Sequence, residues 1–304
     1  MKKITSCIFL ASAFLYANEN FSANLSIGTG IRSIESRIST WADQSFLASY
    51  SDKHKDTRAA FFVNAELAYK NFLSDDKVYL KSFSGRDLSG ISLGYELSYL
   101  NDYKTSFEFL SSLREKAYAN PYLLSYRDEI NVQRLGFKLS QNYKFNEQSN
   151  ASLSYIFANN DFKNDAIALK SLKRTGKFHQ FEFAYNYSLL SVNLHYDYND
   201  AEGRATAFQR YGFNLQAKIP LSQSYIFTPS FGYSYLKALK HNVIFNETQK
   251  AHNIKANFNL VKLGILSYKK AYAFANYGFE LRENNINFYD EQFQFLLLGL
   301  GYRF

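Results

Sequence analysis

Few residues in this sequence have types and spacing that invite chemistry. His195 and Asp197 stand two apart, so on an extended strand both side chains leave the same face. A histidine beside a carboxylate is a pairing that general acid–base catalysis uses. An esterase built on it needs a serine within hydrogen-bond reach, and a protease needs paired acids nearby. Serines are frequent throughout the chain, so proximity in sequence selects none of them. The other histidines, His54, His179, His241 and His252, are scattered, and none stands at a metal-ligand interval from another histidine or a cysteine. The sequence therefore names no catalytic residue, metal ligand or cofactor, and the plainer expectation for His195 and Asp197 is a polar lining.

That lining is larger than one pair. Charged residues recur on the face opposite the apolar one: Glu66, Lys70, Glu96, Glu108, Arg134 and Lys138 in the first half, then Glu182, Lys218, Lys255, Glu280 and Arg282. Together with His195 and Asp197 they form a mixed-sign inward face. So many charges need water or partners around them, because burying a charge alone is costly. They are the expected pore-lining residues of a water-filled lumen, or, if they pair across it, the plug that closes it.

The elements that carry these residues alternate with period two. Phe61, Val63, Ala65, Leu67 and Tyr69 oppose Asn64, Glu66 and Lys70; Ile91, Leu93, Tyr95, Leu97 and Tyr99 oppose Ser92, Gly94, Glu96 and Ser98. The same pattern returns around Leu135–Phe145, Phe181–Tyr187, Val192–Tyr198, Tyr211–Ile219 and Ala271–Leu281. About ten residues of alternation between polar turns is what a strand needs when one face meets hydrocarbon and the other water. No apolar run beyond the first 17 residues approaches the roughly 20 residues of a membrane helix. Aromatic residues make up 18% of the chain, yet mean hydropathy is −0.32, so the apolar residues are dispersed rather than massed. The expected fold is a single all-β domain: a transmembrane, antiparallel, up-and-down β-barrel. It has fourteen strands if the weak segment Lys77–Phe83 pairs with its neighbour, and twelve otherwise.

Both ends fit an exported barrel. Met1-Lys2-Lys3, the apolar Ile4–Leu15 and the small Ala17 form a signal-peptide pattern, so residues 1–17 are expected to be cleaved and 18–304 to be the mature domain. Cys7, the one cysteine, lies in that segment. At the other end Leu296, Leu298, Leu300, Tyr302 and Phe304 share one parity while Gly299, Gly301 and Arg303 share the other. The chain stops on Phe304. This strand resembles the closing strand of bacterial outer-membrane β-barrels, and the resemblance implies that Leu300, Tyr302 and Phe304 are an assembly signal for the barrel-assembly machinery. It also implies a Gram-negative outer-membrane location. Further in, Asn120-Pro121-Tyr122-Leu123, Arg127 and Gly136 resemble an uncharacterised outer-membrane barrel family with an Asp-Pro-Tyr-Leu motif followed by Arg. That family carries no known activity.

The long polar stretches Arg32–Arg58 and Asp161–Lys177 are expected as extracellular loops, because barrels of this type keep short turns on the periplasmic side. Their cations, among them Lys53, Lys55, Lys163, Lys170, Lys173, Arg174 and Lys177, suit the phosphates of lipopolysaccharide. The chain is basic, with a net charge of +8, but its cations are spread over many hairpins with no nucleic-acid motif, which argues against a nucleic-acid partner. The functional expectation is a passive, porin-like channel for small hydrophilic solutes in outer-membrane lipid, and not an enzyme. The alternatives are a plugged adhesin or receptor acting through the two long stretches, and an outer-membrane hydrolase using His195.

Overall fold

The computed structural model describes residues 19–304 except 53, 114 and 266. The expected signal peptide and Lys53 lie outside the described residues. The strands are β1 (Phe21–Ser36), β2 (Lys55–Lys70), β3 (Asp76–Ser84), β4 (Ser89–Tyr99), β5 (Tyr103–Ser112), β6 (Glu115–Tyr118), β7 (Glu129–Lys144) and β8 (Ser149–Phe162). They continue as β9 (Gly176–Tyr187), β10 (Leu190–Ala201), β11 (Phe208–Ala217), β12 (Ile219–Pro220), β13 (Tyr225–Ala238), β14 (Lys250–Ile265), β15 (Tyr268–Asn284) and β16 (Glu291–Arg303). Both β5 and β6 pair with β7, and both β11 and β12 pair with β13, so each couple is one interrupted barrel strand. The barrel is antiparallel, closed and fourteen-stranded, and the weak segment at Lys77–Phe83 is β3. Closure comes from β1 against β16, in register from Asn24↔Arg303 to Ser36↔Glu291.

Alternation becomes sidedness here. The odd residues of β2 and the even residues of β16 turn outward, leaving Phe61 84% and Leu298 57% exposed, as lipid-facing positions are. At the end with short turns a belt of touching rings runs from Tyr99 through Tyr103 and Tyr143 to Phe145, with ring centroids 4.7–5.5 Å apart. Aromatic girdles of this kind mark the water–hydrocarbon boundary of a barrel. His179 and His252 belong to the outer face nearer the opposite end, where Tyr155 and Tyr233 hydroxyls meet their Nδ1 atoms at 2.8 and 2.7 Å.

The two ends differ sharply. The short turns include Leu100-Asn101, both with positive φ (51° and 62°), which turns β4 into β5 in three residues. The opposite end carries the long connections, although β1 and β2 run further than the sequence suggests: Arg32 and Arg58 are strand residues paired with each other, and the connection is only 37–54. Likewise the connection between β8 and β9 is 163–175. These connections pack into a roof around Leu47, Tyr122, Ile167, Leu172, Phe288 and Tyr289, which are nearly inaccessible.

Candidate functional site

The site starts from one short strand. β3 pairs with β2 only over Lys77–Lys81, against Glu66–Lys70, while β4 stays with β3 up to Ser89↔Ser84. Freed from β2, the β3–β4 turn reaches across the lumen to the far wall. Arg86 Nη1 donates to Glu182 Oε2 at 2.9 Å, and its Nη2 and Nε donate to the two oxygens of Asp197 at 3.0 and 3.2 Å. The partner strands put these acids side by side, since β10 places Asp197 opposite Arg210 of β11 and His195 opposite Glu182 of β9. Arg210 Nε donates to Asp197 Oδ2 at 2.8 Å and a second guanidinium nitrogen reaches Asp87. Arg134 of β7 holds the Asp87 carbonyl and lies 3.0 Å from Glu115.

Asp197 is therefore a fully buried carboxylate shared by two guanidinium groups. Coulomb attraction in such a setting offsets desolvation only when the geometry satisfies both oxygens, and here it does. The bridge divides the lumen. Toward the short turns lies a cavity of about 350 Å³ lined by Arg86, Arg210, His195, Glu182, Asn214 and Lys255. Toward the roof lies one of about 170 Å³, lined among others by Asp87, Arg134, Asn160 and Arg174. A solute passing along the barrel would have to cross a constriction with charges of both signs.

The opposite wall is built differently. On β15, β16 and β1 the inward residues include Phe274, Phe293, Phe295 and Leu297, interleaved with Gly28, Gly278, Gly299 and Gly301. The rings lie over the glycines: a Cβ at Gly299 would stand 2.3 Å from the Phe274 ring, and one at Gly278 as close to Phe295. Glycine is required there for that close approach, and the rings lie against the wall where glycine leaves them space.

The roof is held by arginines bonded to backbone carbonyls. Arg127 Nη1 donates to Arg37 O at 2.7 Å and to Pro121 O at 3.1 Å, Nη2 donates to Gln44 O, and the guanidinium sits 3.9 Å above the Tyr118 ring. Arg37 donates to Asn287 O, and Arg174 to Tyr118 O and Ala119 O. Asn120 caps its own turn by accepting from Tyr122 N, and the Tyr122 and Tyr289 hydroxyls meet at 2.9 Å. Burial pushes both phenols above their ordinary range.

Over residues 20–303 the sequence matches a family model described as "Protein of unknown function (DUF2860)". The chain belongs to this family. No curated protein matches it. Among solved structures the chain is similar to the CymD monoaromatic hydrocarbon channel, at 7% identity and a TM-score of 0.51, covering 94% of this chain and 89% of that one. It is also similar to OmpT, an outer membrane protein of Vibrio cholerae (10% identity, TM-score 0.48, 95% and 99% covered). A further match is the outer membrane protein OprD from Pseudomonas aeruginosa (8%, 0.43, 94% of each). At 7% identity the likeness to CymD bears on the fold alone, a closed β-barrel.

Most of the residues expected from sequence fall into three groups. Glu182, His195, Asp197 and Arg134 meet at the constriction, with Lys138 close enough to act on Glu182 through its charge. Lys255, Glu280 and Arg282 form a second cluster, with Lys255 Nζ 2.9 Å and Arg282 Nη2 3.7 Å from Glu280. Glu96 lies between Lys77 and Lys104 toward the short-turn mouth, Lys70 at its rim, and Glu108 is buried against Lys81. Glu66 faces inward on β2. Lys218 departs from the expected wall: it occupies the break between β11 and β12, exposed at the short-turn rim. His195 does not pair with Asp197. Neither ring nitrogen has a hydrogen-bond partner among the described residues. Arg174, expected among the outward-facing loop cations, instead faces the roof interior.

Arg86, Asp87 and Arg210 are not among the expected lining residues, though they carry the bridge. Arg210 has the same inward parity as Asn214 and is legible as such. Arg86-Asp87 looks like any polar turn, and only the brevity of β3 hints that the turn stops inside the barrel. Leu300 and Tyr302 face outward beside the closing seam, opposite Ile27 and Leu25, and Phe304 N donates to Ala23 O at 2.8 Å.

Proposed function

We propose that this barrel is a narrow passive channel for small hydrophilic solutes across the outer membrane, with the β3–β4 turn as its selectivity element. The observation that carries the reading is the charged bridge of Arg86, Asp197, Arg210 and Asp87 across the lumen, with cavities lined in part by charged side chains on both sides. Fixed charges in a pore set which ions enter and how fast. The activity is passage rather than catalysis, since Asp197 is committed to two guanidinium groups.

The rest of the molecule suits that role. With the long connections outside the cell, exposed Lys55, Lys170, Lys240 and Lys250 lie where lipopolysaccharide phosphates would be. Leu300, Tyr302 and Phe304 present an outward apolar edge suited to recognition by the barrel-assembly machinery. The packed roof supports a second reading, a closed surface-interaction barrel, because it fixes the outer loops and leaves Phe46, Leu123 and Tyr126 exposed.

Planar-bilayer recording of the purified, folded chain tests the first reading. Stepwise openings are expected, with a larger unit conductance in Arg86→Ala, where the bridge is cut. A silent bilayer with both proteins would leave the closed, surface-interaction reading.

A further inference from the structure

The barrel wall has a wedge missing. From the pair Glu66↔Lys81 upward, β2 continues through residues 65–55 while β3 continues only through 82–84 before its turn swings into the lumen. Among the described residues no strand pairs with this stretch of β2 on its β3 side. At the apex a side chain replaces the ladder: Ser82 Oγ accepts from Ala65 N at 2.9 Å and donates to Asn64 Oδ1 at 2.7 Å. By the alternation of an antiparallel strand, the next groups pointing into the wedge belong to Val63, Phe61 and Ala59. These residues pair through Ile27, Thr29 and Ile31 with Leu300, Leu298 and Leu296, so the open edge stands in the lipid-facing belt.

Unpaired backbone does not survive in hydrocarbon unless it lines a cavity that reaches water. The wedge is such a place. It holds a largely apolar groove of about 640 Å³, where Phe61, Val63, Leu80, Ile91 and Leu113 line the outer side. Its inner edge is Lys81, Phe83 and Gly90, which have lumen parity. One opening therefore joins an apolar groove to hydrogen-bond donors and, beside them, the Lys81–Glu108 ion pair.

The geometry points to a lateral binding site for a single-chain carboxylic amphiphile drawn from the lipid layer. Its tail lies in the groove, and its carboxylate turns inward to the N–H groups of Val63, Phe61 and Ala59, which no described strand pairs, with Lys81, whose Nζ also holds Glu108 at 3.1 Å, as a flanking cation. A β-strand is the other occupant an open edge invites. The wedge disfavours it, because both edges are open together only over the three residues 82–84 of β3, and they diverge above the apex. The site stands whether or not the lumen conducts, so it goes beyond the channel reading.

The test uses the full folded chain in phosphatidylcholine vesicles with palmitate bearing a terminal diazirine, photolysed and mapped by peptide. Saturable labelling is expected at Phe61, Val63 and Ile91, displaced by unlabelled palmitate but not by hexadecane. Outward Phe231 and Phe258 on the far wall should label without saturation. Ala65→Trp and Ser89→Trp, which fill the wedge from opposite sides, should each weaken palmitate binding about tenfold. Equal, unsaturable labelling at both walls would overturn the proposal, as would displacement by hexadecane, full binding in a folded filled variant, or cross-links from β2 to a second copy of the chain.

Discussion

On β9, β10 and β11 the inward positions carry Glu182, Asp197 and Arg210, whereas on β15, β16 and β1 they carry Phe274, Phe295 and a run of glycines. Both walls obey one alternation, and both turn apolar residues to the lipid. They differ in what the inside is used for. The charged wall receives the β3–β4 turn and fixes it by charge-assisted hydrogen bonds. Among the described residues the aromatic wall makes no hydrogen bond across the lumen, and it keeps its rings over glycine. Parity thus decides which residues face inward, and the inward residue types decide whether a wall obstructs the lumen or leaves it clear.

The sharpest way to break this contrast is at Asp197. In Asp197→Asn two guanidinium groups lose the carboxylate they share, and breaking a buried pair by removing one partner costs about 3 to 5 kcal/mol. The folded barrel should lose its heat-resistant band on gels at a markedly lower temperature, and the turn should be released from the far wall. An unchanged melting temperature would mean that the bridge contributes nothing to the charged wall.

The aromatic wall should respond less in stability and in the opposite direction in conductance. In Gly301→Leu the new Cβ would stand 2.1 Å from the Tyr272 ring, whose hydroxyl donates to Asn24 Oδ1 at 2.8 Å. The ring must leave the wall. Overpacking of this kind costs about 1 to 3 kcal/mol, and the displaced ring narrows the lumen, so unit conductance should fall where Arg86→Ala raises it. A rise in conductance would show that the glycines do not hold clearance.

Much of this architecture is legible in the sequence. Strand parity places Glu182, Asp197, Glu280 and Arg282 on the inside and Leu300 and Tyr302 on the outside, because lipid and water act on alternate residues of every strand. Strand ends and turns are less legible. Arg32 and Arg58 look like loop residues by polarity, yet the ladder carries them as a pair, since backbone pairing outruns the apolar belt. The bridge and the wedge share one hidden cause, the early end of β3. Nothing in Ser84-Gly85-Arg86-Asp87 distinguishes a turn above the barrel from one inside it; the difference lies in how far β2 continues without a partner. The roof is hidden for another reason: its core gathers single residues such as Leu47, Tyr122 and Phe288 from separate connections, and no local pattern links them.

The smallest expected effect lies where the two walls meet. β15 carries Phe274 on its inward face and, further up, Glu280, which accepts from Asn253 Nδ2 at 2.9 Å and pairs with Lys255 and Arg282. Lys255 is itself part of the cavity beneath the bridge. Glu280→Gln keeps the shape and removes one negative charge, and because Lys255 keeps substantial solvent access, the stability change should stay within about 1 kcal/mol. The electrostatic consequence is larger than the energetic one. With Lys255 and Arg282 no longer offset, the potential at the cavity becomes more positive, and fixed charge lining a narrow cleft raises the local concentration of its counter-ion. Under a salt gradient the reversal potential should therefore move toward the chloride value while unit conductance changes little. A shift toward the potassium value would reverse the sign assigned to this cluster. No shift at all would place the permeation path along the charged wall alone, away from β15.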